Sequence, residues 1–224
     1  MNGSGRIRIK ICGMTRLADA LCAVAAGVDA LGFIFYPQSP RNIDPAAARA
    51  IIGQLPPFVD AVGVFVNEEA GRVAEIVRAC GLGYAQLHGA ESPAYCRELA
   101  ALAGPCRLLK AIRVGEQTTA AEVAAYHEVV QGYLLDTYQK NVVGGTGRAF
   151  DWSVVDRLNL KKPFLLAGGL DAGNIRAALE RVQPYGVDAN SGLEDAPGRK
   201  NHESIRRFIA TVRAFEVDRS TRQQ

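Results

Sequence analysis

An ammonium and a thiol stand two residues apart near the start of the chain, Lys10 and Cys12. On a strand, residues two apart share a face, so if Ile7 to Cys12 is extended both side chains point the same way. A neighbouring ammonium favours the thiolate, which makes Cys12 a candidate base or nucleophile; a small apolar core residue is the other role this position suits. Asp136 closes an apolar run, Tyr133-Leu134-Leu135. An unpaired buried carboxylate is costly, so Asp136 has either a chemical task or the structural one of anchoring the loop behind it. Two glycine-rich turns follow, Leu166-Ala167-Gly168-Gly169-Leu170 and Asp188-Ala189-Asn190-Ser191-Gly192. Glycines let backbone N–H groups approach an anion, and both turns fall where a phosphate would be held. His88 is a lone histidine and Arg41 follows Pro40 in a polar loop; each fits a ligand contact or an ordinary structural or surface role. Gly144-Gly145-Thr146-Gly147 has the look of a phosphate cradle but lacks the Lys-Ser/Thr ending of a P-loop, so a flap or plain loop is the better expectation. Phe150 and Trp152 are expected to pack the base of that loop.

The bulk of the sequence narrows the classes. Its 224 residues suit one large domain, and 48% hydrophobic with 22% charged residues is the balance of a globular chain. The net charge is only +3 and the basic residues are scattered, which argues against a nucleic-acid partner. No apolar run approaches the roughly 20 residues of a membrane helix, and Met1 to Gly5 begins no signal core; no membrane partner and a cytoplasmic location are expected. Cys12, Cys22, Cys80, Cys96 and Cys106 show no C-x-x-C pair, and His88, His127 and His202 lie far apart. No metal site and no cofactor are therefore expected.

These candidates need elements to place them. Strand-length apolar runs, Ile7–Cys12, Val28–Phe35, Val59–Val66, Leu82–Leu87, Arg107–Ile112, Gly132–Leu135, Phe164–Leu166 and Gly186–Asp188, alternate with helical stretches. Helix signals include Thr15 as a cap before Arg16–Ala26, Asp44 with Pro45 before a helix to Leu55, and a last helix over about Asn201–Phe215. Val28-Asp29-Ala30-Leu31-Gly32-Phe33 echoes Val59-Asp60-Ala61-Val62-Gly63-Val64, a trace of one repeated unit. Near-continuous apolar strands are those covered by helices on a parallel sheet. A dinucleotide-binding open sheet would carry G-x-G-x-x-G after its first strand; here that turn reads Cys12-Gly13-Met14-Thr15. The expectation is an α/β single-domain (β/α)8 TIM barrel over residues 6–216, with polar tails at 1–5 and 217–224. In such a barrel chemistry sits where strands end, and Cys12, Arg41, His88, Asp136, Gly168 and Asn190 all fall at or just after strand ends.

Six segments in order carry a resemblance: Lys10-Ile11-Cys12-Gly13-Met14-Thr15, Gly32-Phe33-Ile34-Phe35 with Ser39-Pro40-Arg41, Gln86-Leu87-His88-Gly89, Leu134-Leu135-Asp136-Thr137, Gly144 to Gly147, and Asp188-Ala189-Asn190-Ser191-Gly192. Together they resemble the phosphoribosylanthranilate isomerase family of tryptophan biosynthesis, from about Arg6 to Phe215. The resemblance implies an Amadori rearrangement without metal or redox cofactor, with Cys12 as general base and Asp136 as general acid. It further implies that Arg41 binds the anthranilate carboxylate and that His88 lines the site. Gly168, Gly169, Ser191 and Gly192 would hold the phosphate, with Asn190 contributing where many relatives carry serine. The implied partner is a small phosphorylated molecule, met by a monomer or a homodimer.

Two rivals remain at this level. One is the related isomerase of a histidine-pathway ribotide, or a bifunctional enzyme; such proteins resemble this chain but usually place an aspartate where Cys12 stands. The other is a non-catalytic barrel that binds phosphorylated metabolites. Retention of both Cys12 and Asp136 speaks against it.

Overall fold

The computed structural model describes residues 6–115, 117–137 and 153–222. Eight parallel strands close into a barrel in chain order: β1 (Arg8–Ile11), β2 (Ala30–Ile34), β3 (Asp60–Phe65), β4 (Tyr84–Leu87), β5 (Arg107–Arg113), β6 (Gly132–Asp136), β7 (Phe164–Ala167) and β8 (Gly186–Ala189). The closing pair sets Lys10 of β1 opposite Asp188 of β8. The helices are α1 (Leu17–Ala26), α2 (Pro45–Ile52), α3 (Ala70–Cys80), α4 (Pro93–Leu102), α5 (Ala120–Ala124), α6 (Ser153–Arg157), α7 (Ile175–Arg181) and α8 (His202–Arg222).

Local chemistry explains several boundaries. The Asp44 carboxylate accepts from the N–H groups of Ala46 and Ala47, and Pro45 supplies the first helical residue of α2. Thr119 and Glu122 form a reciprocal capping box on α5. That helix is short, because after Ala124 the N–H groups of Tyr126 and His127 turn back only three residues. Thr15 does not cap α1: its hydroxyl donates to the Gly198 carbonyl at 2.5 Å instead, and Arg16 occupies the cap position. The C-terminal region also differs from expectation. Residues 217–222 continue α8 rather than forming a tail, and Arg176 ties Asp218 to the α7 side at 2.6 Å. Residues 1–5, 223 and 224, the Gly144–Gly147 segment, Phe150 and Trp152 lie outside the described residues.

Alternate strand residues divide the core in two. The main cluster, with Ile9, Ile11, Leu31, Phe33, Phe65, Leu87 and Leu135, packs under the helices, including Ile205, Phe208, Ile209 and Val212 of α8. Two small clusters stand apart from it, Cys12 with Ile34 and Val64, and Ala111 with Leu134 and Ala167. They come from the opposite strand face, the one that fills the barrel. Cys12 is thus part of the barrel interior at its C-terminal end. After β8, a 3-10 turn (Ser191–Leu193) leads into a two-stranded hairpin, β9 (Glu194–Ala196) and β10 (Arg199–Lys200), which no periodicity in the sequence announces.

Candidate active site

The expected pairing of Lys10 and Cys12 on one strand face is present. Both side chains are buried, and a Cβ placed on Gly32 of the neighbouring strand would lie 2.7 Å from Cys12 Sγ and 3.1 Å from Lys10 Nζ. Only glycine at 32 leaves room for the thiol. Lys10 Nζ also donates to Asp188 Oδ2 at 2.8 Å across the β1–β8 seam. Burial alone would lower the Lys10 pKa, but the Asp188 carboxylate and the Cys12 sulfur offset it and hold the pKa above its ordinary value.

The effect on the thiol corrects the sequence expectation. Burial pushes the Cys12 thiol up; Lys10 and Lys200 pull it down and Asp188 opposes them, and the balance stays above the ordinary value. Lys10 limits the rise without reversing it. Asp188 is a functional neighbour that the sequence reading passed over. Its signal was present: a carboxylate inside an apolar strand, the same pattern that marked Asp136.

Asp136 ends β6, paired in register with Arg113 on one side and Ala167 on the other. Its carbonyl accepts from Val114 N–H, and Thr137 behind it bonds the Ala167 carbonyl through both N–H and hydroxyl. His88 follows β4 and sets Nε2 3.5 Å from Asp136 Oδ2, while its Nδ1 lies 3.0 Å from Gln86 Nε2. With the Gln86 amide as donor, Nδ1 is the acceptor and Nε2 carries the proton toward Asp136. Gln86 Oε1 and Asp188 Oδ1 are buried without a hydrogen-bond partner among the described residues.

Arg41 is neither an exposed charge nor an isolated one. Its Nε and Nη2 engage Glu194, the shortest contact being 2.6 Å, and the two side chains are 19% and 4% exposed. Lys200 Nζ bonds Glu194 at 2.9 Å and the side chain and carbonyl of Asn190 at 2.9 and 3.1 Å. Although burial disfavours the Glu194 charge, bonds from Arg41 and Lys200 outweigh it and hold the carboxyl below its usual range. Burial draws the Lys200 ammonium below its ordinary value even with Glu194 beside it. Neither Glu194 nor Lys200 was anticipated.

Gly13, immediately after Cys12, has φ of +77°, and a Cβ there would fall 2.7 Å from Asn190 Oδ1 and 2.9 Å from Arg41 Cδ. Glycine therefore lets the β1, β2 and β8 loops converge beside the thiol. Gly168 and Gly169 follow β7 with φ of 105° and 70°. Ser191 and Gly192 follow β8, and Gly192 abuts Leu170 and Asp171 so closely that a side chain would strike their atoms. The two glycine turns thus meet at the same end of the barrel as Cys12, Arg41, His88 and Asp136. This end of the barrel carries carboxylates, cations, a thiol and backbone turns on one rim. It can bind an anion at the β7–β8 side and move protons at the β1 and β6 sides.

Comparison with known proteins shows the family. The family model described as N-(5′-phosphoribosyl)anthranilate isomerase matches residues 9–211. The N-(5′-phosphoribosyl)anthranilate isomerase of Magnetococcus marinus is 48% identical over 92% of this chain and 95% of its own length. A crystal structure of phosphoribosyl anthranilate isomerase in complex with reduced 1-(o-carboxyphenylamino)-1-deoxyribulose 5-phosphate superposes with a TM-score of 0.78. It is 39% identical and covers 93% of this chain and 99% of its own. Monomers generated from the dimeric enzyme of Thermotoga maritima give a TM-score of 0.79 at 38% identity, covering 92% of this chain and 98% of theirs. On this evidence the chain belongs to the N-(5′-phosphoribosyl)anthranilate isomerase family.

Proposed function

We propose that this chain isomerises N-(5′-phosphoribosyl)anthranilate to 1-(2-carboxyphenylamino)-1-deoxyribulose 5-phosphate in tryptophan biosynthesis, with Asp136 as general acid and Cys12 as general base. The observation that carries the reading is the convergence of Cys12, with Lys10 beside it, and Asp136, with His88 beside it, at the strand ends of one barrel mouth. Asp136 donates its proton to the furanose ring oxygen, the C1′–O bond breaks, and the anilino nitrogen lone pair forms the Schiff base. The Cys12 thiolate then removes the C2′ proton, and the electron pair flows to the nitrogen to give an enolamine. Protonation at C1′ and loss of the C2′ hydroxyl proton yield the ketone. Arg41 receives the anthranilate carboxylate, His88 lines the site, and Gly168, Gly169, Asn190, Ser191 and Gly192 hold the phosphate. Incubation of the purified chain with freshly made phosphoribosylanthranilate tests this: substrate fluorescence should fall as the ketose appears. Turnover of the histidine-pathway ribotide instead, or of neither compound, contradicts it.

The assembly we propose is a homodimer joined through the opposite end of the barrel. Phe58 there is fully exposed and holds φ of 71°, a left-handed conformation that costs an L-residue roughly 1–2 kcal/mol. Beside it a cavity of about 560 Å³ is lined by Val62, Leu109 and Phe164 together with the charged Arg8, Asp60 and Arg107. A protruding ring and a cavity of mixed apolar and charged lining share one face, which two-fold symmetry can set against its own copy, and the Thermotoga maritima enzyme is described as dimeric. Sedimentation should give the dimer mass, and Phe58→Ser should give a monomer. A monomeric wild-type chain contradicts this assembly.

A further inference from the structure

We propose that Glu194 is the positioning residue that sets the aim and the net charge of Arg41, and thereby the preference for an aryl group bearing one carboxylate. The inference rests on the reading of Arg41 as the carboxylate's partner. Glu194 takes Arg41 by Nε and Nη2, which fixes the guanidinium plane as a fork does. Nη1 makes no hydrogen bond to a described residue, and it is the group left to meet a ligand. Glu194 is itself held from behind by Lys200 Nζ at 2.9 Å and Gly198 N–H at 3.2 Å.

The charges give the specificity. Arg41 and Lys200 are two cations on one carboxylate, so the cluster carries one net positive charge, with Lys200 wholly buried and Glu194 nearly so. One unmatched cation suits one ligand carboxylate. Without Glu194, two cations would share the space beside Gly13, and like charges at this depth repel strongly. Arg41, with its longer reach to solvent, would swing away. Lys200 also bonds Asn190, so the same hairpin ties the carboxylate end of the site to the β8 turn.

Glu194→Gln tests this with little change of shape, because an amide puts a donor where two cations already donate. The substrates are phosphoribosylanthranilate and its aniline counterpart, identical except for the missing carboxylate. In the wild type the ratio of kcat/KM values measures recognition of that group. Glu194→Gln should lower the ratio about tenfold, through KM, with kcat on the carboxylated substrate within about threefold of wild type. Glu194→Asp, which keeps the charge, should recover part of the ratio, and melting curves report folding separately. Arg41→Ala should lower the ratio at least as far. If Arg41→Ala lowers it and Glu194→Gln leaves or raises it, the role of Glu194 is overturned while that of Arg41 stands. If Arg41→Ala leaves it unchanged, the carboxylate reading of Arg41 itself fails.

Discussion

Lys10→Met removes the cation beside Cys12 and leaves Asp188 buried without its partner. The pair is 2.8 Å apart with side chains 2% and 7% exposed. Removing one member of such a pair costs about 3–5 kcal/mol, since the remaining charge is neither solvated nor neutralised. For a chain of this length each kcal/mol lowers Tm by roughly 2–4 °C, so a fall of about 6–20 °C is expected by circular dichroism. The double variant Lys10→Met/Asp188→Asn removes both charges and should regain most of that loss. Reactivity is a second readout. Lys10 is the strongest influence favouring the thiolate, opposing burial, so in either variant the alkylation of Cys12 should require a higher pH than in wild type. Mass spectrometry separates Cys12 from the other four thiols. A single variant that melts within about 2 °C of wild type and alkylates with an unchanged pH profile would refute the coupling of Lys10 to both Asp188 and Cys12.

Other expectations follow from the same geometry. Gly32→Ala puts a methyl group 2.7 Å from Cys12 Sγ and 3.0 Å from its Cα; displacing the base should cost about tenfold or more in kcat, and wild-type turnover would show that Cys12 has room to move. Alkylation of Cys12 in the free enzyme should need a higher pH than that of an ordinary exposed thiol, because burial raises the Cys12 pKa; modification with the pH profile of an exposed thiol would contradict that balance. Burial also raises Cys106 to about 11. The folded state holds this proton more tightly than the unfolded chain, so its stabilising effect is complete below pH 9.0 and is lost as pH rises through about 11. Urea midpoints between those values should fall less in Cys106→Ala than in wild type, and parallel curves would remove Cys106 from the alkaline transition.

The barrel was legible because each strand is a short apolar run between helix signals, and such runs need helices on one side. Lys10 and Cys12 could be placed on one face by the period of two alone. Asp188 met the criterion used for Asp136, a carboxylate within an apolar strand, and was passed over because it sits inside the glycine-rich segment read for phosphate. Glu194 and Lys200 had no comparable signal. Arg41 meets Glu194 across 153 residues of sequence, and only closure of β8 on β1 brings the hairpin over the β2 loop. Two strands of three and two residues are too short to show alternation. Thr15 had the type and position of a helix cap, but the hairpin offered its hydroxyl the Gly198 carbonyl, a tertiary partner invisible to local pattern. The sign of the Cys12 shift failed for a related reason: the cation was readable, the depth of burial was not.

The central claim is that Cys12 and Asp136 act together on one substrate, and turnover of phosphoribosylanthranilate by Cys12→Ser and Asp136→Asn tests it most directly. Each substitution keeps the shape of its side chain and removes its proton chemistry. A serine hydroxyl does not ionise in the working range, and an amide has no acidic proton to give. With binding checked by product inhibition and folding by melting curves, both variants should lose about 10²-fold or more in kcat while the affinity for product changes far less. Wild-type kcat in either variant would contradict the assignment of base and acid.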